Sequence, residues 1–200
     1  MNMAESMLHT LRGRWLIDEP MSRHVSWRAG GAARRAYVPA DLADLAAMLR
    51  AVPAAEPILF VGLGSNLLVR DGGYRGTVVF THPVLADIRP EGDAVRAAAG
   101  VASPKVARFA AVRNLTGAEF LAGIPGTVGG ALAMNAGCYG AETWQFVREV
   151  EVLGRDGMVQ RRAREAYEVG YRHVALRAVP AREDEWFLAA TFEFTPGDGE

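Results

Sequence analysis

Two glycine-rich stretches of this 200-residue chain hold the residue types best suited to binding a phosphate-bearing ligand. The first reads VGLGSNLLV over residues 61–69, and the second spans residues 123–140 and contains six glycines. Glycine lets successive backbone N–H groups turn toward one point, where serine and asparagine side chains add further donors. Two such stretches in one chain predict a large, extended ligand that carries phosphate.

The first stretch supplies six candidate residues for holding a pyrophosphate: Gly62, Leu63, Gly64, Ser65, Asn66 and Leu67. It is not the Rossmann fingerprint, which would need a small residue in place of Leu67 and a helix after it. Another turn, over residues 71–74, follows here instead. The alternative interpretation is a tight connection between two buried strands.

The second stretch can approach a flat ring or a phosphate closely, because its side chains are small. Its candidates, with Asn135 as the source of a directed hydrogen bond, are Gly123, Ile124, Pro125, Gly126, Thr127, Gly129, Gly130 and Ala131. Close packing of a glycine-rich helix against a sheet is the alternative. Residues 120–141 are uncharged and long enough to cross a bilayer, but their glycines favour a site loop over a membrane span.

Tyr171 and Arg172 form the third candidate feature. Arginine presents a planar, permanently charged fork to a carboxylate or phosphate. The cluster of Arg161, Arg162 and Arg164 is interpreted as solvated surface charge, because no aromatic residues interleave with it and the formal net charge is −1. We therefore expect no nucleic-acid partner.

The remaining composition excludes several kinds of site. Lys105 is the only lysine among 22 basic residues, so the chain has no Walker A phosphate loop, and a Schiff-base enzyme is disfavoured. Cys138 is the only cysteine, which rules out an internal disulfide and favours a reducing cytosol. The four histidines lack metal-ligand spacing, so we expect no metal. The amino terminus lacks the apolar core of a signal peptide, which indicates a cytoplasmic protein.

Two α/β units are predicted to position these residues, over residues 1–80 and 81–200, with a turn-rich linker around residues 82–93 between them. In the first unit, strands are predicted over residues 34–39, 57–62 and 76–80. A helix capped by Asp41 follows the first strand, and its apolar face holds Leu42, Leu45, Met48 and Leu49.

The second unit begins with a predicted strand over residues 94–99 and a helix with Ser103 as N-cap and Pro104 as its first residue. The apolar face of that helix holds Val106, Phe109, Ala110 and Val112. Residues 147–154 and 158–162 are predicted to form a β-hairpin, and residues 185–194 the last strand.

Four motifs, in this order, closely resemble one family: SRHVSWRAGG at residues 22–31, GLGSNLL at 62–68, GIPGTVGGA at 123–131 with NAG at 135–137, and GYR at 170–172. The family is the UDP-N-acetylenolpyruvoylglucosamine reductases, flavoproteins of the superfamily typified by vanillyl-alcohol oxidase. The resemblance covers residues 20–194. It implies an α+β fold built from two α/β subdomains that bind FAD.

The resemblance implies an FAD-dependent oxidoreductase that makes UDP-N-acetylmuramate for peptidoglycan, in cell wall biogenesis, cell shape and cell division. NADPH would reduce FAD, and the flavin would pass hydride to the enolpyruvyl ether of UDP-N-acetylglucosamine. Residues 62–67 would wrap the FAD pyrophosphate, and residues 123–131 with Asn135 would line the flavin. Arg172 matches the catalytic arginine, and Tyr171 with Arg172 would bind substrate. We expect a monomer with a small UDP-sugar substrate and no membrane partner.

The chain departs from the family pattern in ways that limit the expected activity. The family's Gly-Ser-x-Phe-x-Asn-Pro segment, whose serine donates a proton, and its carboxy-terminal glutamate have no counterpart here, since the last serine is Ser103. Val174 stands where many members carry a hydroxyl residue. We also expect the family's carboxy-terminal substrate-binding domain to be missing from these residues, and the residues alone to be impaired or inactive. The alternatives are the FAD-binding domain of a related sugar or hydroxy-acid oxidase or dehydrogenase, and an interaction domain without cofactor.

Overall fold

The structure is a computed structural model that describes residues 11–82, 84–177 and 184–197. Within these ranges three helices occur: α1 (Leu42–Ala51), α2 (Ser103–Ala111) and α3 (Val128–Met134). The strands are β1 (Arg14–Pro20), β2 (Ala32–Val38), β3 (Ile58–Val61), β4 (Tyr74–Phe80), β5 (Ile88–Glu91), β6 (Ala94–Ala98), β7 (Leu115–Thr116), β8 (Gly137–Cys138), β9 (Ala141–Glu142), β10 (Val147–Gly154), β11 (Val159–Ala163), β12 (Tyr167–Gly170), β13 (His173–Leu176), β14 (Glu185–Phe192) and β15 (Thr195–Pro196).

The two main sheets have different topologies. The first has the order β1-β2-β4-β3, with β1 antiparallel to β2 and the other pairs parallel. The second, β11-β10-β14-β6-β5, is antiparallel throughout. Helix α1 connects β2 to β3, as parallel strands require a crossover connection. The α+β prediction is confirmed.

Helix α1 begins as its sequence predicts. Asp41 is the N-cap, and its carboxylate accepts a hydrogen bond from the backbone N of Asp44 at 2.8 Å. Leu45, Met48 and Leu49 are buried, which confirms most of the predicted apolar face. The assignment of Leu42 to that face is wrong, because its side chain is 36% exposed at the first turn.

Several boundaries differ from the predictions. Ala102, not Ser103, is the N-cap of α2, and Val112 lies after the helix, 74% exposed. The predicted linker contains β5 and the turn into β6, although Pro83 lies outside the described residues. The predicted site loop ends at Thr127, because α3 occupies the following residues. Strand β1 and the β12–β13 hairpin had no counterpart in the predictions.

One continuous core lies between the two sheets. Buried side chains of the first sheet and α1, among them Tyr37 and Leu45, belong to the same apolar cluster as Leu132, Trp144 and Phe192 of the second half. A second cluster covers the other face of the first sheet, with Met21, Ala36, Val61, Val78 and Phe80. The division into units 1–80 and 81–200 stays a prediction, since the sheets fall on either side of it but the larger core spans both.

Candidate functional site

A cleft of about 350 Å³ lies where the two glycine-rich stretches meet. Of the predicted site residues, those that line it are Gly62, Leu63, Gly64, Ser65, Asn66, Leu67, Ile124, Pro125, Gly126, Thr127, Gly130, Ala131 and Arg172. The fold therefore brings together all three features singled out in the sequence. The sequence analysis missed five lining residues whose apolar types carry no signal of their own: Phe60, Val61, Ala133, Met134 and Ala136.

The backbone of the first loop is held in place by the segment that precedes β2. Gly64 has φ +62°, and a Cβ there would overlap the carbonyl oxygen of His24. Ser26 donates its backbone N–H to the carbonyl oxygen of Gly64 at 3.1 Å. Only glycine allows this approach and this conformation together. The motif at residues 22–31 thus shapes the loop from outside the cleft.

The first loop leaves a row of backbone donors unpaired. Within the described residues, none of the N–H groups of residues 63–67 donates to a protein acceptor. Successive N–H groups of this kind form anion-binding concavities. The loop can therefore bind a phosphate group through its backbone, without a cationic side chain.

The two loops contact each other directly. A Cβ on Gly62 would overlap the side chain of Thr127, and one on Gly126 would lie 3.1 Å from the Ser65 hydroxyl oxygen. Thr127 is the N-cap of α3, and its Oγ1 accepts from the backbone N of Gly130 at 3.5 Å. The glycines thus allow the loops to close on one another at the floor of the cleft.

Two predicted site glycines have a packing role instead. A Cβ on Gly123 would overlap the Cys138 sulfur, and one on Gly129 would lie 2.9 Å from the Cβ of Ala99. Neither residue lines the main cleft. Both glycines allow close packing, Gly129 also lines a smaller adjoining space of about 200 Å³, and their assignment as cofactor-binding residues stays a prediction.

Asn135 also differs from expectation. It is 3% exposed, and its side-chain amide binds Glu142, Gly170 and the backbone N of Trp144. Both the donors and the acceptor of the amide are therefore satisfied within the protein. The expected hydrogen bond from Asn135 to a ligand stays a prediction, and both hydrogens of its amide group are already bonded within the protein.

Tyr171 and Arg172 form the turn of the β12–β13 hairpin, whose last pair is Gly170 and His173. Arg172 has φ +53°, lines the cleft and is exposed. Tyr171 is 83% exposed and lines an adjoining space of about 460 Å³ that also contacts Cys138 and Glu142. The hairpin therefore places Arg172 between the cleft and this adjoining space, with its guanidinium carbon 5.8 Å from the centroid of the Tyr171 ring.

Within the described part of the chain, no group of three or more His, Cys, Asp or Glu side chains is placed to hold a metal ion. None of the helices in these ranges has the length and apolarity needed to span a membrane.

Comparisons with known proteins place these features among flavoproteins. A family profile described as FAD binding domain matches residues 33–162. The UDP-N-acetylenolpyruvoylglucosamine reductase of Thiobacillus denitrificans is 56% identical, over 94% of this chain and 62% of that protein. The protein of the same name from Methylococcus capsulatus is 56% identical, over 94% of this chain and 60% of the length of that protein.

A solved structure agrees with these relatives. The crystal structure of UDP-N-acetylenolpyruvylglucosamine reductase from Thermus caldophilus matches with a TM-score of 0.75 at 26% identity, over 94% of this chain and 64% of that chain. The chain thus spans about three fifths of the length of the relatives it matches.

Proposed function

The chain belongs to the FAD-binding domain family, and from this premise we propose that it is the FAD-binding part of a UDP-N-acetylenolpyruvoylglucosamine reductase. The observation that carries the proposal is the cleft in which both glycine-rich loops and Arg172 meet. The names of its relatives supply the substrate class, which geometry alone does not define.

The residues of the cleft fit FAD. The unpaired backbone donors of residues 63–67 suit its diphosphate, and the apolar side chains of Ile124, Pro125 and Met134 suit a flat ring system. A further space of about 200 Å³, bounded by Trp186 and Ala99, adjoins the cleft at Gly62 and Thr127. The two spaces share Gly62 and Thr127 in their lining, which suits an extended ligand such as a dinucleotide.

When bound, FAD supplies hydride chemistry, taking reducing equivalents from NADPH and delivering them to the enolpyruvyl double bond. The chain's own contribution is positioning and electrostatics. The loop at residues 63–67 holds the diphosphate through its backbone. The Arg172 guanidinium binds the substrate carboxylate as a planar fork and stabilises the enolate charge that develops beside it.

The proposal extends to the cellular role. The product would be UDP-N-acetylmuramate, a precursor of peptidoglycan, which connects the protein to cell wall biogenesis, cell shape and cell division. NADPH as reductant, a cytoplasmic location and a monomeric state belong to the same proposal, supported by the likeness to the named reductases.

Reconstitution with FAD tests the proposal. We expect the purified chain to retain flavin absorption bands after excess FAD is removed. Gly64→Ala should lose the flavin, because its Cβ would overlap the His24 carbonyl. Gly72→Ala is the matched control, since nothing lies within 4 Å of its Cβ. A colourless wild type, or a Gly64→Ala variant that is folded by circular dichroism and binds FAD normally, would overturn the proposal.

A further inference from the structure

Asn135 ends helix α3 and contacts three separate parts of the chain. Its Nδ2 donates to Glu142 Oε2 at 2.8 Å and to the carbonyl oxygen of Gly170 at 3.1 Å. Its Oδ1 accepts from the backbone N of Trp144 at 3.1 Å. Rotating the amide by half a turn would place its oxygen against a carboxylate and a carbonyl, so these partners fix its orientation.

Glu142 is itself held by the turn that follows it. Its carboxylate accepts from the backbone N of Gln145, and the Gln145 side chain accepts from the backbone N of Glu142 at 3.1 Å. This reciprocal capping box fixes the carboxylate that Asn135 binds. The Asn135 amide is therefore aimed at Gly170 by a partner that has little freedom.

Gly170 immediately precedes the turn that carries Arg172. In the described residues, Asn135 is the only side chain that hydrogen-bonds to residues 170–173. The left-handed backbone of Arg172 is unfavourable for a residue with a side chain, so the turn benefits from an external contact. The other end of the hairpin is anchored separately, through the Tyr167 hydroxyl and Glu185.

We propose that Asn135, oriented by Glu142, is a positioning residue that fixes the hairpin turn so that the Arg172 guanidinium enters the cleft. The inference rests on the proposed function for the task of Arg172. The fixing of the turn itself is independent of that function, which allows the two to be tested apart.

The test uses Asn135→Gly, because glycine keeps the left-handed backbone at φ 40° and removes only the amide. Asn114→Gly is the matched control, an exposed asparagine at φ 54° that has no contact with the hairpin. Amide hydrogen exchange is measured along the cofactor-free chain. We expect exchange at Gly170 and His173 to become roughly tenfold faster in Asn135→Gly, with β10 and β14 unchanged.

Two substitutions of Glu142 add a conservative comparison. Glu142→Gln keeps a carbonyl acceptor for the Asn135 amide, so exchange at Gly170 and His173 should stay close to the wild-type rate. In Glu142→Ala, exchange at Gly170 and His173 should be accelerated nearly as much as in Asn135→Gly. The inference is overturned if Asn135→Gly leaves exchange at the turn unchanged, or accelerates it equally in β10 and β14.

A spectroscopic readout then connects the turn to the cleft. In a complete, FAD-loaded reductase, UDP-N-acetylglucosamine enolpyruvate is titrated while the flavin spectrum is recorded. We expect Asn135→Gly to weaken the ligand-induced shift roughly tenfold with FAD affinity unchanged. If wild type and Arg172→Ala respond alike, the proposed function fails, whereas the exchange result still decides the role of Asn135.

Discussion

Arg172 combines the side chain to which we assign substrate binding with an unfavourable backbone conformation. Its φ of +53° costs about 1–2 kcal/mol for a residue other than glycine. We expect Arg172→Gly to leave the free energy of unfolding unchanged or raise it by up to about 1 kcal/mol. In a complete reductase, its turnover should fall about 10²-fold or more, because the charge that stabilises the transition state is lost.

Urea unfolding and steady-state kinetics check this prediction, with FAD content measured in parallel. Arg172→Lys is the informative comparison, since it keeps the charge and loses the planar fork. Loss of flavin from Arg172→Gly would contradict the assignment of Arg172 to substrate.

Asp44 is a buried carboxylate, 3% exposed, that stabilises the fold rather than the site. It accepts hydrogen bonds from the Tyr37 hydroxyl at 2.6 Å and from the backbone N of Ala40 and Arg12. Burial acts to raise the pKa of Asp44, but these hydrogen bonds outweigh it and lower the pKa below the usual value. The same contact and burial raise the pKa of Tyr37.

A lowered carboxyl pKa stabilises the fold above the unfolded-state value of about 3.9, and this stability is lost as the pH falls through the folded-state pKa. We expect Asp44→Asn to reduce the free energy of unfolding by about 1–3 kcal/mol at neutral pH. The difference from wild type should shrink below about pH 4. Urea unfolding across this range tests it, with exposed Asp18→Asn as control; a difference independent of pH would exclude the carboxylate as the cause.

Single residues were predictable from sequence only where their type defines their chemistry. The glycines of the first loop and Arg172 line the cleft as predicted. The packing of Gly123, Gly129 and Asn135 could not be predicted, because it depends on Cys138, Ala99 and Glu142, which the fold alone brings near them, and their assignment to the cofactor stays a prediction.

At the scale of elements, the contact between the two glycine-rich loops is the feature that forms the floor of the cleft. A Cβ on Gly62 would overlap the Thr127 side chain, so Gly62→Ala should force the loops apart. We expect it to destabilise the chain by about 1–3 kcal/mol and to weaken FAD binding.

A double-mutant cycle makes this prediction specific. Thr127→Ala removes the atoms that a Cβ at position 62 would overlap most closely. Gly62→Ala should therefore lower the free energy of unfolding by less in the Thr127→Ala protein than in wild type, by at least about 0.5 kcal/mol. Urea unfolding of the four proteins measures the coupling. If the two losses of stability are simply additive, the side chains at positions 62 and 127 do not clash.

The elements themselves were predictable where apolar residues follow a clear period. Strands β3, β4 and β10 and helix α1 lie within a few residues of their predictions. Helix α3 was predicted only as the alternative for its stretch, because glycine is a poor helix former, and it is stabilised by packing against Ala99 and by the Trp144 Nε1 donor to the Leu132 carbonyl. Strand β1 was missed because its burial is only partial.

At the scale of the whole molecule, side-chain contacts join the two sheets. Phe60 of β3 stacks on Trp186 of β14 with ring centroids 5.0 Å apart. Arg155, after β10, donates to the carbonyl oxygen of Glu56 at 2.9 Å. These contacts and the shared core explain why a sequence boundary near residue 81 does not divide the interior.

We therefore expect a single cooperative unfolding transition, with tryptophan fluorescence and circular dichroism giving the same midpoint. Phe60→Ala should lower the free energy of unfolding by about 2–4 kcal/mol, whereas exposed Trp27→Ala should change it by less than about 0.5 kcal/mol. FAD at 100 times its dissociation constant should raise the free energy of unfolding of the wild-type chain by about 2.7 kcal/mol. Two separated transitions would show that the sheets unfold independently.

Because the groups proposed to bind phosphate are backbone N–H groups, we expect phosphate binding to depend little on pH. Peptide N–H groups carry no titrating proton in the physiological range, and Arg172 is the only ionisable side chain among the described residues that line the cleft. We therefore expect the affinity of the loop for a diphosphate to be the same at mildly acidic and mildly alkaline pH. In a complete reductase that contains this chain, we expect any acid or alkaline limb of the rate profile to arise from the flavin, the substrate, the nicotinamide or groups outside this cleft.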